Sequence, residues 1–279
     1  MDVEQPRWQR FRRDRLGYRS LRILIAITVF FVCAPFLAND RPLIIRFDGQ
    51  LFFPALVDYS ETAFGGDFDV AADYRDPQLS KLIAEKSEFT VWPPIRFSYD
   101  TINVDIPTPA PSPPTWLLSE DVCRPVAERM GLKTCRDLDQ NWLGTDDMAR
   151  DVVARVIHGV RLAVEIGLAV ACIALIGSIA VGSTSRRMMR HTTAATIQAL
   201  PTIFRGSIGA LIVFDVIGFG VPPGWPSLGE VIRQAESNVQ APWIAAGAVL
   251  GLGMVAILFL LALLISRALR DTFEAESVE

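Results

Sequence analysis

Histidine is nearly absent: the 279 residues include two, His158 and His191. They lie far apart along the chain, which leaves little for a histidine-bound metal or a base-activated nucleophile. The sequence has no Gly-x-x-x-x-Gly-Lys-Ser/Thr loop to cradle phosphates, no Gly-x-Ser-x-Gly turn and no His-Glu-x-x-His pair. Of the four cysteines, Cys33 and Cys172 fall inside apolar runs and read as small packing residues. Cys123 and Cys135 have no further Cys or His nearby to complete a zinc site. An enzyme is therefore not expected, nor a catalytic residue, a metal or a cofactor held by this chain.

Apolar residues are abundant, at 51% with a mean hydropathy of +0.31, and they lie in blocks. A membrane helix needs about 20 such residues. "ILIAITVFFVCAPFLA" is short for that and needs Leu21 and a snorkelling Arg22 to complete a span over 21–38. The runs at 162–182, 194–220 and 243–265 are long enough unaided, which predicts about four membrane helices in all. A cleavage site of the small-x-small kind is not evident after the first run, so it reads as an uncleaved anchor rather than a signal peptide. Arginines crowd residues 1–20, the loop 183–193 and the tail after Ser266, but are sparse at 39–60 and 221–242. By the positive-inside rule the amino terminus, that loop and the tail are cytoplasmic. The basic residues are thereby assigned to membrane orientation, and the formal charge of −4 does not point to nucleic acid.

Residues 39–140 then lie outside. In "FDGQLFFPALVDYSETAFGGDFDVAADYRDP" apolar and aromatic residues alternate with Asp and Gly, as short strands with turns do. "VDIPTPAPSPPTW" is too rich in proline for a helix and should lie extended. The following segment reads as a short helix with Cys123 and Cys135 near its ends, thiols that an oxidising compartment would join in a disulfide.

Charges at membrane depth are costly and usually face a water-filled path or a partner. Glu165, Arg205 and Asp215 are such residues, although Glu165 is close enough to a helix end to be merely interfacial. Arg205 and Asp215 are nearly three helical turns apart, too far to pair with each other. Gly247 and Gly251 have the small-x-x-x-small spacing of packed helices.

"NWLGTDDMARDVVARVIHGVRLAVEIGL" closely resembles the segment that opens the core domain in the dipeptide/oligopeptide family of bacterial ABC importer permeases, where Leu-Gly-Thr-Asp, Arg-Asp-Val and Gly-x-Arg recur. "FDVIGFGVPPGWPSLGEVIRQAESNVQAPW" resembles a later stretch of the same proteins, and "RPLIIRFDGQLFFPALVDYSETAFGGDF", "WPPIRFSYDTINVDIPTPAPSPPTW" and "RALRDTF" narrow the likeness to the Yej-type permeases of microcin C and peptide import. The resemblance covers nearly the whole chain. It implies an all-α polytopic bundle of the type I importer kind with a small β-rich or α+β periplasmic insertion, its core spanning 141–279. It implies an inner-membrane protein that moves peptides with a second permease subunit, ABC ATPase subunits that bind ATP and Mg, and a periplasmic peptide-binding protein. It also implies a polar helix at the periplasmic face carrying Thr145, Asp146, Arg150, Asp151, Arg155 and Arg161, with Thr145 or Asp146 as its cap, Asp147 in its first turn and its arginines along the interface.

Two departures stand out. Met148-Ala149 replaces the family's usual Gln-Gly. More importantly, such permeases carry six spans and a cytoplasmic Glu-Ala-Ala...Gly coupling segment, whereas here Gly182 is followed by "STSRRMMRHTTAATIQALP", which already resembles the start of the fifth span. Arg186, Arg187 and Arg190 would be the residue of a coupling loop. The alternative expectation is a permease paralogue that no longer transports and serves as a membrane-anchored docking or assembly module.

Overall fold

The computed structural model describes residues 7–183, 185–222 and 224–278, so the first six residues of the basic arm, residue 184 of the expected cytoplasmic loop and the last residue lie outside the described residues. Asp14 divides the basic amino terminus into α1 (Arg7–Arg13) and α2 (Arg15–Val32). Its carboxylate caps α2 by accepting from the backbone N–H groups of Leu16 and Gly17 at 3.0 and 2.9 Å. The helix ends before the short helical turn Ala34–Phe36, at Pro35, which has no N–H to continue it. The span expected at 21–38 is therefore helical from Arg15 to Val32, with Arg15, Arg19 and Arg22 inside it. Its apolar part from Ile23 to Val32 covers about 15 Å, half the hydrocarbon thickness.

Residues 39–140 are sparser in strands than their alternation suggests. β1 (Ile44–Phe47) and β2 (Gln50–Phe52) form a hairpin. Asp48 and Gly49 both have positive φ, the Asp-Gly signature of a two-residue turn. α3 (Pro77–Lys86), started by Asp76 and Pro77, leads to β3 (Ser87–Val91), which pairs antiparallel with the other side of β1. Ile45, Phe47, Phe64, Tyr74, Leu79 and Ile83 form the core beneath the sheet. Beyond the proline-rich stretch, α4 (Glu120–Arg129) is stapled by a disulfide between Cys123 and Cys135, whose Cα atoms are 5.6 Å apart.

The remaining chain is helical: α5 (Val152–Gly182), α6 (Arg186–Val216), α7 (Leu228–Ser237) and α8 (Pro242–Val278). Among the described residues, α5, α6 and α8 are the three helices long and apolar enough to cross a membrane. The loop expected at 183–193 shrinks to 183–185, because nothing in "RRMMRHTT" breaks a helix and α6 extends back to Arg186. Gly182 permits so short a turn: a Cβ there would lie 2.5 Å from Met189 Cα. Pro201 sits inside α6 without ending it.

α8 is the central helix. Gly247 lets it approach Val152 of α5 and Gly251 lets it approach Leu228 of α7; a Cβ would meet their side chains at 2.4 and 2.5 Å. Val156, Val160, Val164, Phe204, Ile208 and Leu258 fill the bundle between α5, α6 and α8, with Phe31 of α2 against them. In the most apolar window of α8 39% of residues are buried within the chain, against 17% in α5 and in α6, so the latter two present most of their surface to lipid or to another subunit. Phe11 packs on Ile265 and Ala268, placing both chain ends at one end of the bundle, while the sheet lies beyond the other.

Candidate functional site

Residues 141–151 do not form the polar helix expected at the membrane face; they fold into a tight turn ahead of α5. Asp146 N–H donates to Arg150 O at 2.9 Å and Ala149 N–H to Asp146 O at 3.1 Å. Ala149 takes φ +61°, a left-handed conformation that breaks the helical path. The cap of α5 is accordingly Asp151, whose Oδ1 accepts from Ala154 N–H at 2.7 Å, and not Thr145 or Asp146. Asp147 also precedes the helix instead of occupying its first turn.

The turn closes around buried charge. Asp146 is 1% exposed and its Oδ1 accepts the backbone N–H groups of Met148 and Arg150, both at 2.9 Å. Its Oδ2 accepts from Arg150 Nε at 2.8 Å and faces Arg155 Nε at 3.5 Å. Both arginines are buried, Arg155 to 1% exposure, so they do not lie along the interface as their sequence spacing suggested. Arg155 Nη1 donates to Tyr99 O at 3.2 Å, while its Nε and Nη2 make no hydrogen bond. One carboxylate therefore balances two guanidinium groups at the start of a membrane helix. Only Arg161 remains near the surface, paired with Glu165 at 2.7 Å one turn along α5.

Polar loops seal this knot. Asp151 Oδ2 accepts from Asn141 Nδ2, and Asn141 Oδ1 accepts from Asn103 Nδ2, each at 2.9 Å. Thr145 N–H donates to Ser112 O at 2.8 Å and Ser112 N–H donates to Thr145 Oγ1 at 2.9 Å, so the proline-rich stretch packs on the turn. Trp243 at the start of α8 donates through Nε1 to Thr145 O at 2.9 Å. Nε2 of His158 lies 2.9 Å from Ala38 O, the geometry of an Nε2–H donor, and ties α5 to the end of the α2 segment. Burial raises the Asp151 pKa to about 6, although the Ala154 backbone and the Asn141 side chain pull it down. The site is a closed latch joining the loops at Ala38, Tyr99, Asn103 and Ser112 to α5 and α8.

The membrane-depth candidates do not converge. Glu165 is spent on Arg161. Arg205 reaches Thr202 Oγ1 at 3.4 Å, with its Nε buried and without a hydrogen bond. Asp215, buried at the end of α6, accepts from Val221 N–H at 2.8 Å, and glycines at 220 and 229 leave it room. Arg186, Arg187 and Arg190 stand exposed on the first turn and a half of α6. An apolar cavity of about 520 Å³ lies between α1, α2, α5, α6 and α8, bounded by Trp8, Phe11, Leu168, Leu200 and Leu269. Glu120, Cys123 and Cys135 form the one cluster of metal-ligand types among the described residues, but both cysteines are in the disulfide and offer no thiolate.

No protein-family model matches the chain. It is 30% identical over 354 residues to the peptidoglycan transport system permease protein YejE of Agrobacterium fabrum, covering 96% of this chain and 92% of the relative. It is 31% identical over 357 residues to the inner membrane ABC transporter permease protein YejE of Escherichia coli K12, covering 98% and 97%.

Proposed function

The chain belongs to the YejE-type family of ABC transporter permeases, and on that premise we propose that it imports peptides or peptide-like compounds of the microcin C class across the bacterial inner membrane. The observation that carries this is near end-to-end similarity to a relative of which it covers 97%. The name of the Agrobacterium relative supports cargo of peptidoglycan origin, which is itself peptide-bearing. A second permease subunit would complete the path, separate ATPase subunits would bind ATP and Mg, and a periplasmic binding protein would deliver cargo. The sparsely buried faces of α5 and α6 suit such a partner.

In this reading the chain ends and the α5–α6 turn face the cytoplasm, where the arginines of the amino terminus and of α6 meet the positive-inside rule. α2 is the fourth span, with its arginines snorkelling. Glu165, Arg205 and Asp215 contribute polar lining or helix contacts, and the exposed Arg186, Arg187 and Arg190 meet the ATPase. The test is co-purification with the partner permease and ATPases, followed by peptide-stimulated ATP hydrolysis. Arg187→Glu should abolish the stimulation; unchanged stimulation would refute the coupling role.

One observation favours a second reading. The alignments run to 354 and 357 residues, longer than the 279-residue chain, so the relatives carry residues with no counterpart here. Two helices and a coupling segment lost between α5 and α6 would account for that excess. Such a chain would be a non-transporting paralogue, and it would assemble without stimulating hydrolysis.

A further inference from the structure

The apolar cavity of about 520 Å³ among α1, α2, α5, α6 and α8 takes no part in the latch. Of the side chains that line it, only that of Arg7 carries a charge, and the Thr272 hydroxyl already donates to Ala268 O at 2.7 Å. The guanidinium of Arg7 stands 4.8 Å from the centre of the Phe273 ring, at the α8 limit of the cavity. From Phe273 the wall runs back along α8 through Leu269 to Ile265, about 12 Å along the helix axis. Leu24 of α2 packs beside Ile265, and Thr28, one turn further, also lines the space. The exposed Trp8 and Cys172 belong to its rim, so it opens onto the outside of the bundle.

The charge around this end is predominantly of one sign. The amino-terminal helices over 7–22, the α5–α6 turn with the start of α6 over 183–193 and the end of α8 over 266–279 contain twelve arginines against five aspartates and glutamates. One of the five, Asp14, caps α2. α1 is shaped for the same boundary. Its Phe11 is buried on Ile265 and Ala268, while Trp8, stacked on Phe11 at 5.8 Å, stays exposed as tryptophans do at the level of lipid headgroups.

A water-soluble ligand would find too few polar groups in this wall to be oriented. A neutral lipid would fill it but make no use of the positive charge at its mouth. A long apolar chain that ends in a negative group matches both features. We propose that the cavity holds one acyl chain of an anionic phospholipid from the surrounding leaflet, with the lipid phosphate at Arg7. The chain fills the space between α2 and the α5–α6 pair, and α1 lies across it at headgroup depth. The inference rests on the membrane location of the chain and is independent of what the permease transports.

The test is native mass spectrometry of the full chain released from detergent, titrated with dioleoylphosphatidylglycerol and dioleoylphosphatidylcholine, which share acyl chains and differ in headgroup charge. Phosphatidylglycerol should fill one tight site per chain and bind at least about fivefold more tightly than phosphatidylcholine, the gain from one arginine contact. Arg7→Gln, at an exposed position, should remove most of that preference and leave phosphatidylcholine affinity unchanged. Ala171→Phe, which narrows the cavity, should weaken both lipids at least about fivefold. Ile176→Phe, on the exposed surface of the same helix outside the cavity, should change neither. Equal affinity for the two lipids, a preference that survives Arg7→Gln, or unchanged binding in Ala171→Phe would overturn the site. A lipid-free dimer that Ala171→Phe converts to monomer would also overturn it, by showing a second copy of the chain as the occupant.

Discussion

Asp146→Asn is the most exposing perturbation of the latch. The carboxylate is 1% exposed and lies 2.8 Å from Arg150 Nε and 3.5 Å from Arg155 Nε, so the substitution leaves two buried guanidinium groups without their ion-pair partner. At an effective dielectric near 20 each contact is worth about 4 kcal/mol. Removing the carboxylate also relieves its own desolvation cost, which offsets part of the two contacts and brings the loss to the roughly 3–5 kcal/mol typical of broken buried pairs. Asparagine keeps an oxygen for the Met148 and Arg150 backbone N–H groups but turns an NH₂ toward the guanidiniums, so it recovers little. The melting temperature should fall by about 6–20 °C at the usual 2–4 °C per kcal/mol. Intrinsic tryptophan fluorescence in detergent reads this directly, because Trp243 donates to the turn itself. Arg155→Met removes one of the stranded cations, so the double variant should lose clearly less than the sum of the two singles. Additive losses, or a fall in Asp146→Asn under about 2 °C, would refute the view that one carboxylate holds both arginines.

Three further outcomes follow from the same geometry. Asp151 holds its proton up to about pH 6, above the ordinary aspartate value, so the folded chain binds a proton more tightly than the unfolded chain does. Its charge therefore costs stability above pH 6, a cost that fades as pH falls toward 4; Asp151→Asn should lose that part of the rise in melting temperature between pH 7 and pH 5, and superimposable pH profiles would contradict this. Ala149 takes φ +61°, a conformation that suits glycine, and Ala149→Gly should stabilise by up to about 1 kcal/mol in thermal melts, whereas destabilisation would show that the turn needs its methyl group. The Cys123–Cys135 bond closes a loop of sequence separation 12, so the double serine variant should lose about 3 kcal/mol in denaturant titration, and intact mass without reductant should sit two hydrogens below the reduced form.

The long apolar runs made α5, α6 and α8 legible, since lipid allows few alternatives to a helix. Their ends were not, because helices run on through polar residues until something breaks them, as α6 does back to Arg186 and α8 to Val278. α7 was missed despite a readable signal, Ser227 three residues before Glu230, whose N–H donates to the Ser227 hydroxyl at 3.0 Å. α3 carried the equivalent in Asp76-Pro77. The latch was hidden for a different reason. Arginines before a membrane span ordinarily read as interfacial, and Arg150 and Arg155 are buried only because loops distant in sequence, at Tyr99, Asn103 and Ser112, fold over them. Such closure depends on tertiary contacts that no local pattern encodes. Asp151 illustrates the gap: it was singled out, but as one polar residue of a helix rather than as its cap.

The most direct measurement is ATP-dependent uptake of a labelled short peptide in cells lacking their own permease, with this chain expressed beside the partner permease, ATPases and binding protein. A parallel strain would carry a version lengthened between α5 and α6 by the corresponding segment of the Escherichia coli relative. The account predicts uptake by the 279-residue chain itself, abolished by Arg187→Glu. Uptake by the lengthened version alone, with the short chain equally abundant in the membrane, would contradict it.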